Sequence, residues 1–319
     1  MTEAIAFPKT EQFPGTGEVL AGKDVEGKLA VITGGSGGLG LATATALARA
    51  GAHVIIAARP GQKLSTALET VSREAKGRVE GVGLDLSELD SVDVAARQIL
   101  DNHGQIDMLI NNAGIIGQKA LSSIGVEMGF MTNVVGHAVL ASHLAPAIRD
   151  GGRIACLSSF GHHYSPVVFE DINFEHRPYA AWTSYGQSKT GCVLLAVKLN
   201  RALKHRGIDA FALHPGAIYT DMGRSMVEED YETALAKTGP IPDEDFVSPD
   251  QGAATTVWAV TEPRLAGKGG VYLENCAVAA IRDEPDYRTG VMRYALDPAV
   301  AEQLWEKIET LTGRTLPLA

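Results

Sequence analysis

Cysteine is scarce in this sequence, and the three that occur, Cys156, Cys192 and Cys276, are widely separated. No two of them form a CxxC pair, which argues against a structural zinc site and suits a reducing compartment. No run of about 18 apolar residues occurs, so we expect no membrane span. The N-terminus has no basic segment followed by an apolar stretch, so we expect no signal peptide and a cytoplasmic protein.

Basic residues are also in deficit. The 319 residues include 28 Lys and Arg against 38 Asp and Glu, which gives a formal net charge of −10. This charge disfavours nucleic acid as a partner. It does not exclude a small phosphate-bearing ligand, because helix N-termini and a few local cations can hold one. The 45% of hydrophobic residues in a chain of this length indicate a globular protein with a large core.

From residue 29 onwards, a short apolar run, a turn and a helix-length amphipathic stretch recur along the chain. The predicted strands cover residues 29–33, 53–58, 79–84, 106–110, 153–157 and 208–213. The predicted helices cover residues 39–50, 63–74, 89–102, part of 128–148, and 185–205. Strands with few polar residues that alternate with helices predict a parallel sheet covered on both faces. Right-handed crossovers then predict an α/β, doubly wound, Rossmann-type fold with its site at the carboxyl ends of the strands.

The alternation continues without a linker, which favours a single domain. We predict an N-terminal arm over residues 1–28, the Rossmann-type domain over 29–275 and a C-terminal extension over 276–319. Two stretches, 160–180 and 217–247, break the alternation, and the second is interpreted as an inserted lid. In the extension, Asp297 can cap a terminal helix whose first turn contains Pro298. The sequence does not decide whether that helix covers the site or joins subunits.

A glycine-rich loop follows the first predicted strand and opens the first predicted helix. Its sequence is Thr33-Gly34-Gly35-Ser36-Gly37-Gly38-Leu39-Gly40. It fits both the general pattern GxGxxG from residue 35 and the pattern TGxxxGxG from residue 33. Glycines allow backbone amides to approach a pyrophosphate, and the helix N-terminus supplies a favourable dipole. The loop therefore predicts a dinucleotide site formed by Thr33, Gly34, Ser36, Gly38, Leu39 and Gly40.

The end of the second predicted strand indicates which dinucleotide binds. Proteins that prefer NAD usually place Asp or Glu there, where the carboxylate holds the ribose 2′-hydroxyl. This chain has Ala57-Ala58-Arg59 instead. Because a guanidinium can bind a 2′-phosphate through charge-assisted hydrogen bonds, Arg59 favours NADP(H). The alternative is NAD(H), with Arg59 an ordinary solvated loop residue.

Two further segments follow the third and fourth predicted strands. Asp85-Leu86 could meet the adenine amino group, and Asn112-Ala113-Gly114 could form a wall beside the cofactor. Asp and Asn at such positions are more commonly helix caps or turn residues, so both interpretations stay open.

Tyr185 and Lys189 are four residues apart, hence on one face of a helix. A phenol is a poor proton carrier at neutral pH, and a nearby ammonium favours the phenolate. Taken alone the pair is weak evidence. An ordered set strengthens it, because polar residues also lie at strand ends or on neighbouring helices where one cleft would collect them. These are Asn133, Ser158-Ser159 and the segment Pro215-Gly216-Ala217-Ile218-Tyr219-Thr220.

Together these motifs resemble the short-chain dehydrogenase/reductase family over roughly residues 27–275. The motifs are TGxxxGxG from Thr33, NNAG from Asn111, Asn133, Ser159, YxxxK from Tyr185 and PGxxxT from Pro215. The segments Asp171-Ile172-Asn173-Phe174-Glu175 and Arg177-Pro178-Tyr179 are similar to the retinol-dehydrogenase-like and WW-domain-containing oxidoreductase branch. That resemblance implies an enzyme acting on lipophilic alcohols and carbonyls, and a homodimer or homotetramer.

The resemblance also implies roles for individual residues. Tyr185 would exchange the proton with the substrate oxygen, and Ser159 would orient that oxygen, unless the register shifts the role to Ser158. Lys189 would favour the phenolate and bind the nicotinamide ribose, and Asn133 would hold a water in a proton relay. The cofactor would further contact Pro215, Gly216, Ile218 and Thr220.

Other classes fit less well. A non-catalytic NADP-binding redox sensor needs the glycine loop but has no need of the tyrosine, lysine, serine and asparagine. Nucleotide-sugar epimerases usually have a longer substrate domain, which is not evident in this sequence. His162, His163 and His176 lack Cys or carboxylate partners at ligand spacing, so we expect no metal and interpret them as loop residues near the pocket entrance.

Overall fold

A computed structural model describes residues 13–218, 228–239, 242 and 245–318. Its main sheet has eight strands in the order β3-β2-β1-β4-β5-β6-β7-β8, all parallel except β8, which pairs antiparallel with β7. The strands are β1 Leu29–Thr33, β2 His53–Ala58, β3 Val79–Gly83, β4 Ile106–Asn111, β5 Ile148–Leu157, β6 Asp209–His214, β7 Tyr272–Glu274 and β8 Ala277–Val278. The order reverses between β1 and β4, which is the topological switch point of a doubly wound sheet. The predicted Rossmann-type fold is therefore confirmed.

Helices cover both faces of this sheet. They are α1 Thr16–Leu20, α2 Gly38–Arg49, α3 Gln62–Ser72, α4 Leu89–Asn102, α5 Met128–Phe130, α6 Gly136–Leu144, α7 Ala181–Leu203, α8 Glu228–Thr238, α9 Pro249–Thr261 and α10 Pro298–Thr312. Two apolar clusters form the core, one on each face of the sheet. The central strands β1 and β6 are buried along their whole length, because helices screen both of their faces from water.

Most element ends lie within two residues of the sequence prediction, and three larger differences stand out. Strand β5 begins at Ile148, five residues early, because Ile148 pairs with Ile106 before a register shift carries the chain to Arg153 beside Met108. Helix α7 begins at Ala181 rather than Tyr185, with an N-cap at Ala180 that makes no side-chain hydrogen bond. The predicted long helix within 128–148 is interrupted by a π-helical turn, Met131–Val135.

The terminal segments pack against the sheet's outer helices. Near the N-terminus, the Thr16 amide donates to Asp250 Oδ2 at 3.2 Å, which ties α1 to the start of α9. In the C-terminal region, Asp297 caps α10 by accepting from the Ala299 amide at 2.8 Å. Leu304 and Ile308 of α10 are buried in the core. Among the described residues, no helix is long and apolar enough to cross a membrane.

Candidate active site

The glycine loop joins β1 to α2 at the carboxyl edge of the sheet. Gly34 and Gly38 adopt positive φ of 66° and 51°, which favours glycine over other residues. Helix α2 has Gly37 as N-cap with no side-chain hydrogen bond, so its first amides have no side-chain acceptor. Ser36 and Leu39 are half-buried beside them. A helix N-terminus whose first amides have no side-chain acceptor suits a phosphate.

Gly40 shows how tightly this loop is built. A Cβ at Gly40 would lie 2.4 Å from the Gly34 carbonyl oxygen and 2.5 Å from Asn112 Nδ2. Asn112 Nδ2 itself donates to the Thr33 carbonyl oxygen at 2.7 Å. The Thr33 hydroxyl accepts from the Asn112 and Ala113 amides at 2.9 and 3.0 Å. The loops after β1 and β4, predicted separately as cofactor contacts, are thus locked together.

Arg59 follows β2 directly and is exposed. Within the described ranges, no carboxylate forms an ion pair with its guanidinium. A second cation, which sequence reasoning missed, lies near the glycine loop. A Cβ at Gly37 would be 3.3 Å from Lys63 Cε and 3.5 Å from Lys63 Nζ. The pair flanks the region where a dinucleotide's adenosine half meets this type of fold.

Asp85 and Leu86 follow β3 as predicted, but their contacts are partly local. Asp85 Oδ1 accepts from the Ser87 amide at 3.0 Å and from the Ser87 hydroxyl at 2.6 Å. That is the turn role that the sequence left open. The Leu86 side chain is buried in the core, so its backbone is the part available to a ligand.

Asn133 lies in the π-helical turn and is fully buried. Its Oδ1 accepts from the Ile115 amide at 2.8 Å, and its Nδ2 donates to the Ile115 carbonyl at 3.0 Å and to Ser188 Oγ at 2.8 Å. The side chain thus joins the loop after β4 to helix α7. π-turns inside helices are frequent at functional sites.

The two serines at the end of β5 have different environments. The Ser158 hydroxyl donates to the Lys189 carbonyl oxygen at 2.8 Å. Ser159 Oγ accepts from the Gly161 amide at 3.0 Å. A Cβ at Gly161 would be 2.8 Å from Tyr185 Cδ1 and 3.4 Å from Ser159 Oγ, so Gly161 leaves space between these two side chains. This geometry favours Ser159 over Ser158 as the residue that shares a site with Tyr185.

Tyr185 and Lys189 lie on α7 and are both buried. Lys189 Nζ is 5.4 Å from the centroid of the Tyr185 ring and donates to the Leu157 carbonyl at 2.9 Å. A Cβ at Gly114 would be 3.2 Å from Lys189 Nζ and 3.4 Å from Asn133 Oδ1. The four predicted catalytic side chains therefore occupy one region, with Gly114 and Gly161 fitted between them.

The segment after β6 closes another side of this region. Gly216 has a φ of 96°, and a Cβ there would be 3.0 Å from Val247 Cγ2. Pro215 precedes it and is half-buried. Ile218 packs against α9, since a Cβ at Gly252 would be 2.3 Å from Ile218 Cδ1. Thr220, predicted to contact the cofactor, lies outside the described residues.

An aromatic cluster (Phe160, Tyr164, Trp182 and Tyr287) lies beside Tyr185 and was missed from the sequence. The Trp182 and Tyr185 rings are 5.9 Å apart at 86°, and Phe160 and Tyr164 stack on Trp182 at 6.0 and 5.3 Å. Tyr287 is 4.8 Å from Tyr164. Burial raises the pKa of Tyr164 to about 12. Trp182 stands three residues before Tyr185, where the predicted helix begins, and this spacing could have indicated that the two rings are neighbours.

The interpretation of His162 and His163 as entrance residues was wrong. Both are buried in a 3₁₀ turn, Phe160–Tyr164. His162 Nδ1 lies 2.6 Å from the Ser159 carbonyl, and its Nε2 accepts from the Met292 amide at 3.1 Å. Burial lowers the pKa of His162 to about 3. These contacts hold the C-terminal extension against the strand end that carries Ser159.

One group in the described part of the chain brings three metal-ligand atoms within 4.8 Å of one another, namely those of His53, Glu80 and His103. It lies away from the candidate site, since His53 begins β2 at the amino edge of the sheet. Glu80 Oε1 is already bonded to His53 Nε2 at 2.8 Å and to Arg78 Nε at 2.7 Å. Glu80 therefore already has hydrogen-bond partners in the protein.

Comparisons with known proteins show what this chain is similar to. A family model described as short chain dehydrogenase matches residues 28–231. A protein of Streptomyces lividans named "Probable oxidoreductase" is 40% identical, over 89% of this chain and 97% of that protein. Human retinol dehydrogenase 13 is 31% identical, over 92% of this chain and 87% of its own length. A short chain dehydrogenase from Burkholderia cenocepacia, solved in complex with NADP, superposes with a TM-score of 0.63 at 25% identity, covering 79% of this chain and 97% of that one.

Proposed function

The chain belongs to the short-chain dehydrogenase family of oxidoreductases, and from this premise we propose an NADP(H)-dependent enzyme that interconverts a lipophilic alcohol and its ketone or aldehyde. The observation that carries the proposal is the convergence of four buried side chains around two glycines. Those side chains are Tyr185, Lys189, Ser159 and Asn133.

The residues of the glycine loop fit a bound NADP(H). The first amides of α2 can hold the pyrophosphate, and the close packing at Gly40 keeps the start of α2 against the loops after β1 and β4. When bound, the nicotinamide supplies or accepts the hydride. Pro215, Gly216 and Ile218, with Thr220, would face it from the segment after β6.

In this proposal, Tyr185 is the acid/base. Its hydroxyl gives a proton to the carbonyl oxygen during reduction and removes one from the alcohol during oxidation. Lys189 is buried, and its ammonium donates to a backbone carbonyl rather than to a carboxylate among the described residues. In the proposal, Lys189 also binds the nicotinamide ribose. Ser159 donates to the substrate oxygen and orients it.

The test of the chemistry is Tyr185→Phe. We expect turnover of a panel of lipophilic ketones and aldehydes to fall at least ~100-fold, because a proton-transfer group contributes about 10²–10⁴ in rate. NADPH binding, followed by nicotinamide fluorescence, should change little. Ser158→Ala and Ser159→Ala form a matched pair of variants. The proposal requires that Ser159→Ala loses more turnover than Ser158→Ala. Tyr185→Phe with unchanged turnover would reject the mechanism.

Preference for NADP(H) over NAD(H) rests on the two cations beside the glycine loop. Arg59 and Lys63 are both exposed, which leaves them accessible to a 2′-phosphate. We expect Arg59→Ser to raise the KM for NADPH roughly 10–100-fold, from the loss of a charged hydrogen bond, while the KM for NADH changes little. Arg73→Ser, on the exposed end of α3, is the control. Equal effects on both cofactors would support the NAD-preferring alternative.

The lipophilic substrate class is supported by the aromatic cluster beside Tyr185. Helix α8, which falls within the predicted lid of residues 217–247, lies on the same side, since Lys237 Nζ is 5.0 Å from the Tyr164 ring centroid. Arg288 of the predicted C-terminal extension, 276–319, donates to the Thr238 carbonyl at 3.1 Å and so ties the extension to α8. The predicted homodimer or homotetramer is checked by light scattering.

A redox-sensor function is the second candidate from another class. It is disfavoured because a sensor needs no buried lysine beside a tyrosine. A wild-type protein that binds NADPH, yet turns over nothing in a broad panel, would favour it.

A further inference from the structure

A buried histidine connects the glycine loop to the π-turn. His137, near the start of α6, is 2% exposed. Its Nε2 lies 2.8 Å from Thr33 Oγ1 and its Nδ1 lies 2.9 Å from the Asn133 carbonyl oxygen. The two partners belong to different halves of the site, since Thr33 fixes the cofactor loops and Asn133 fixes the loop beside Lys189.

The hydrogen positions in this connection follow from the partners. The Asn133 carbonyl can only accept, so Nδ1 carries the imidazole hydrogen. Thr33 Oγ1 already accepts from two backbone amides, and its hydroxyl hydrogen has two acceptors in reach, the Ile110 carbonyl oxygen at 3.4 Å and the closer His137 Nε2 at 2.8 Å, to which we assign it. Burial, with the charge of Lys189 as a smaller cause, lowers the pKa of His137 to about 4. The ring is therefore neutral at physiological pH, in one tautomer that satisfies both partners.

Both ends of His137 meet groups that position reacting atoms. At one end, the Thr33 hydroxyl orders the Asn112 and Ala113 amides. At the other end, the Asn133 side chain forms hydrogen bonds with the amide and the carbonyl of Ile115. It also donates to the hydroxyl of Ser188, the residue before Lys189. A loss at the Thr33 end would leave the hydroxyl hydrogen only the longer contact to the Ile110 carbonyl at 3.4 Å, and a loss at the Asn133 end would leave that carbonyl only the weaker Cys192 thiol as side-chain donor.

From this connection we infer that His137 is a positioning residue that sets the cofactor loops relative to the catalytic helix. The inference rests on the proposed function. His137 touches neither substrate nor cofactor in this account. It acts through Thr33 on cofactor binding and through Asn133 on the proton-transfer groups.

Two conservative variants separate the two ends. In His137→Asn, the amide nitrogen can replace Nδ1 as donor to Asn133, while the contact to Thr33 is lost. In His137→Gln, the amide oxygen can replace Nε2 as acceptor from Thr33, while the contact to Asn133 is lost. For His137→Asn we expect the Kd for NADPH to rise roughly 10-fold with kcat changed less than about 3-fold. For His137→Gln we expect the reverse, and for His137→Phe both effects.

The assay measures kcat per cofactor-competent site, with the fraction of competent sites taken from NADPH fluorescence titration. This removes any loss that is due only to unfolded protein. His162→Phe is the matched control, because His162 is equally buried and bonded at both nitrogens but contacts no cofactor loop. We expect it to leave the Kd for NADPH within about 2-fold of the wild-type value, since the Thr33 bonds are untouched.

Three results would overturn the inference. His137→Asn and His137→Gln could show the same ratio of Kd and kcat effects, or His137→Phe could match the wild type per competent site. His162→Phe could also weaken NADPH binding as much as His137→Asn, which would indicate general destabilisation. If any of these results is found while the wild-type protein turns over substrate, the inference fails and the proposed function is unaffected. A wild type that neither binds NADPH nor transfers hydride rejects the proposed function and this inference together.

Discussion

Buried histidines should make the free energy of unfolding fall on mild acidification, and the largest pKa shifts among them are those of His137, His162 and His214. Burial lowers the pKa of His137 and of His214 from 6.5 to about 4, and that of His162 to about 3. Between about pH 4 and 6.5 these rings are protonated in the unfolded chain and neutral in the folded one. The unfolded state therefore binds more protons there, so stability is full above pH 6.5 and is lost as the pH falls.

The magnitude follows from the shifts. Between pH 7.5 and 5.5 these three rings together cost about 4 kcal/mol. A total stability of about 5–15 kcal/mol is typical, so the loss is a large share of it. Carboxylates with lowered pKa, such as Glu262, do not contribute until the pH is well below 5.5. Glu274 acts in the opposite direction, because burial raises its pKa.

The assay is urea unfolding followed by tryptophan fluorescence at pH 7.5 and 5.5 and equal ionic strength. His214→Phe is the cleanest variant, because His214 already packs edge-on against Phe160 and its Nδ1 has no hydrogen-bond partner among the described residues. We expect it to reduce the pH-dependent loss by about 1 kcal/mol, since one titrating ring is removed while His53 and His163, whose pKa burial also lowers, are unchanged. His205→Gln, at an exposed position, is the control. A wild-type loss below about 1 kcal/mol, or the same loss in His214→Phe, would refute the reasoning.

Two further predictions concern packing and buried charge. Gly40→Ala should abolish measurable NADPH binding and lower the urea midpoint, because its Cβ would lie 2.4 Å from the Gly34 carbonyl oxygen; Gly104→Ala, where a Cβ meets nothing within 4 Å, should do neither. Glu262→Gln should destabilise the protein by about 1–3 kcal/mol in urea unfolding, because a buried charged partner of Arg264 is lost. Tight NADPH binding by Gly40→Ala, or wild-type stability of Glu262→Gln, would contradict these accounts.

The alternation of strands and helices could be predicted from the sequence because most residues of the central strands are apolar. Strands β1 and β2 have the predicted bounds, since each is closed by a glycine-rich or polar turn. The start of β5 was not readable, because Arg149-Asp150-Gly151-Gly152 resembles a turn and is held in the strand by pairing with β4. The start of α7 was missed because Ala180 gives no capping signal.

The sequence predicts those residues of the candidate site that belong to a motif with a chemical reason for its residue types. Thr33, Tyr185 and Lys189 fall in such motifs. The connection through His137 could not be predicted, because it joins residues 104 positions apart through a tautomer that only the folded environment selects. Lys63 was missed for a related reason: its position beside Gly37 depends on how α3 packs against the glycine loop.

The central claim, hydride transfer from NADPH with Tyr185 as proton donor, has a direct test. Wild-type protein and Tyr185→Phe are incubated with NADPH that is deuterated at C4 of the nicotinamide and with a panel of lipophilic ketones, and the alcohols are analysed by mass spectrometry. The account predicts one deuterium on the carbinol carbon with the wild type, and at least ~100-fold less labelled product with Tyr185→Phe at equal cofactor occupancy. Labelled alcohol formed equally by both proteins would contradict it.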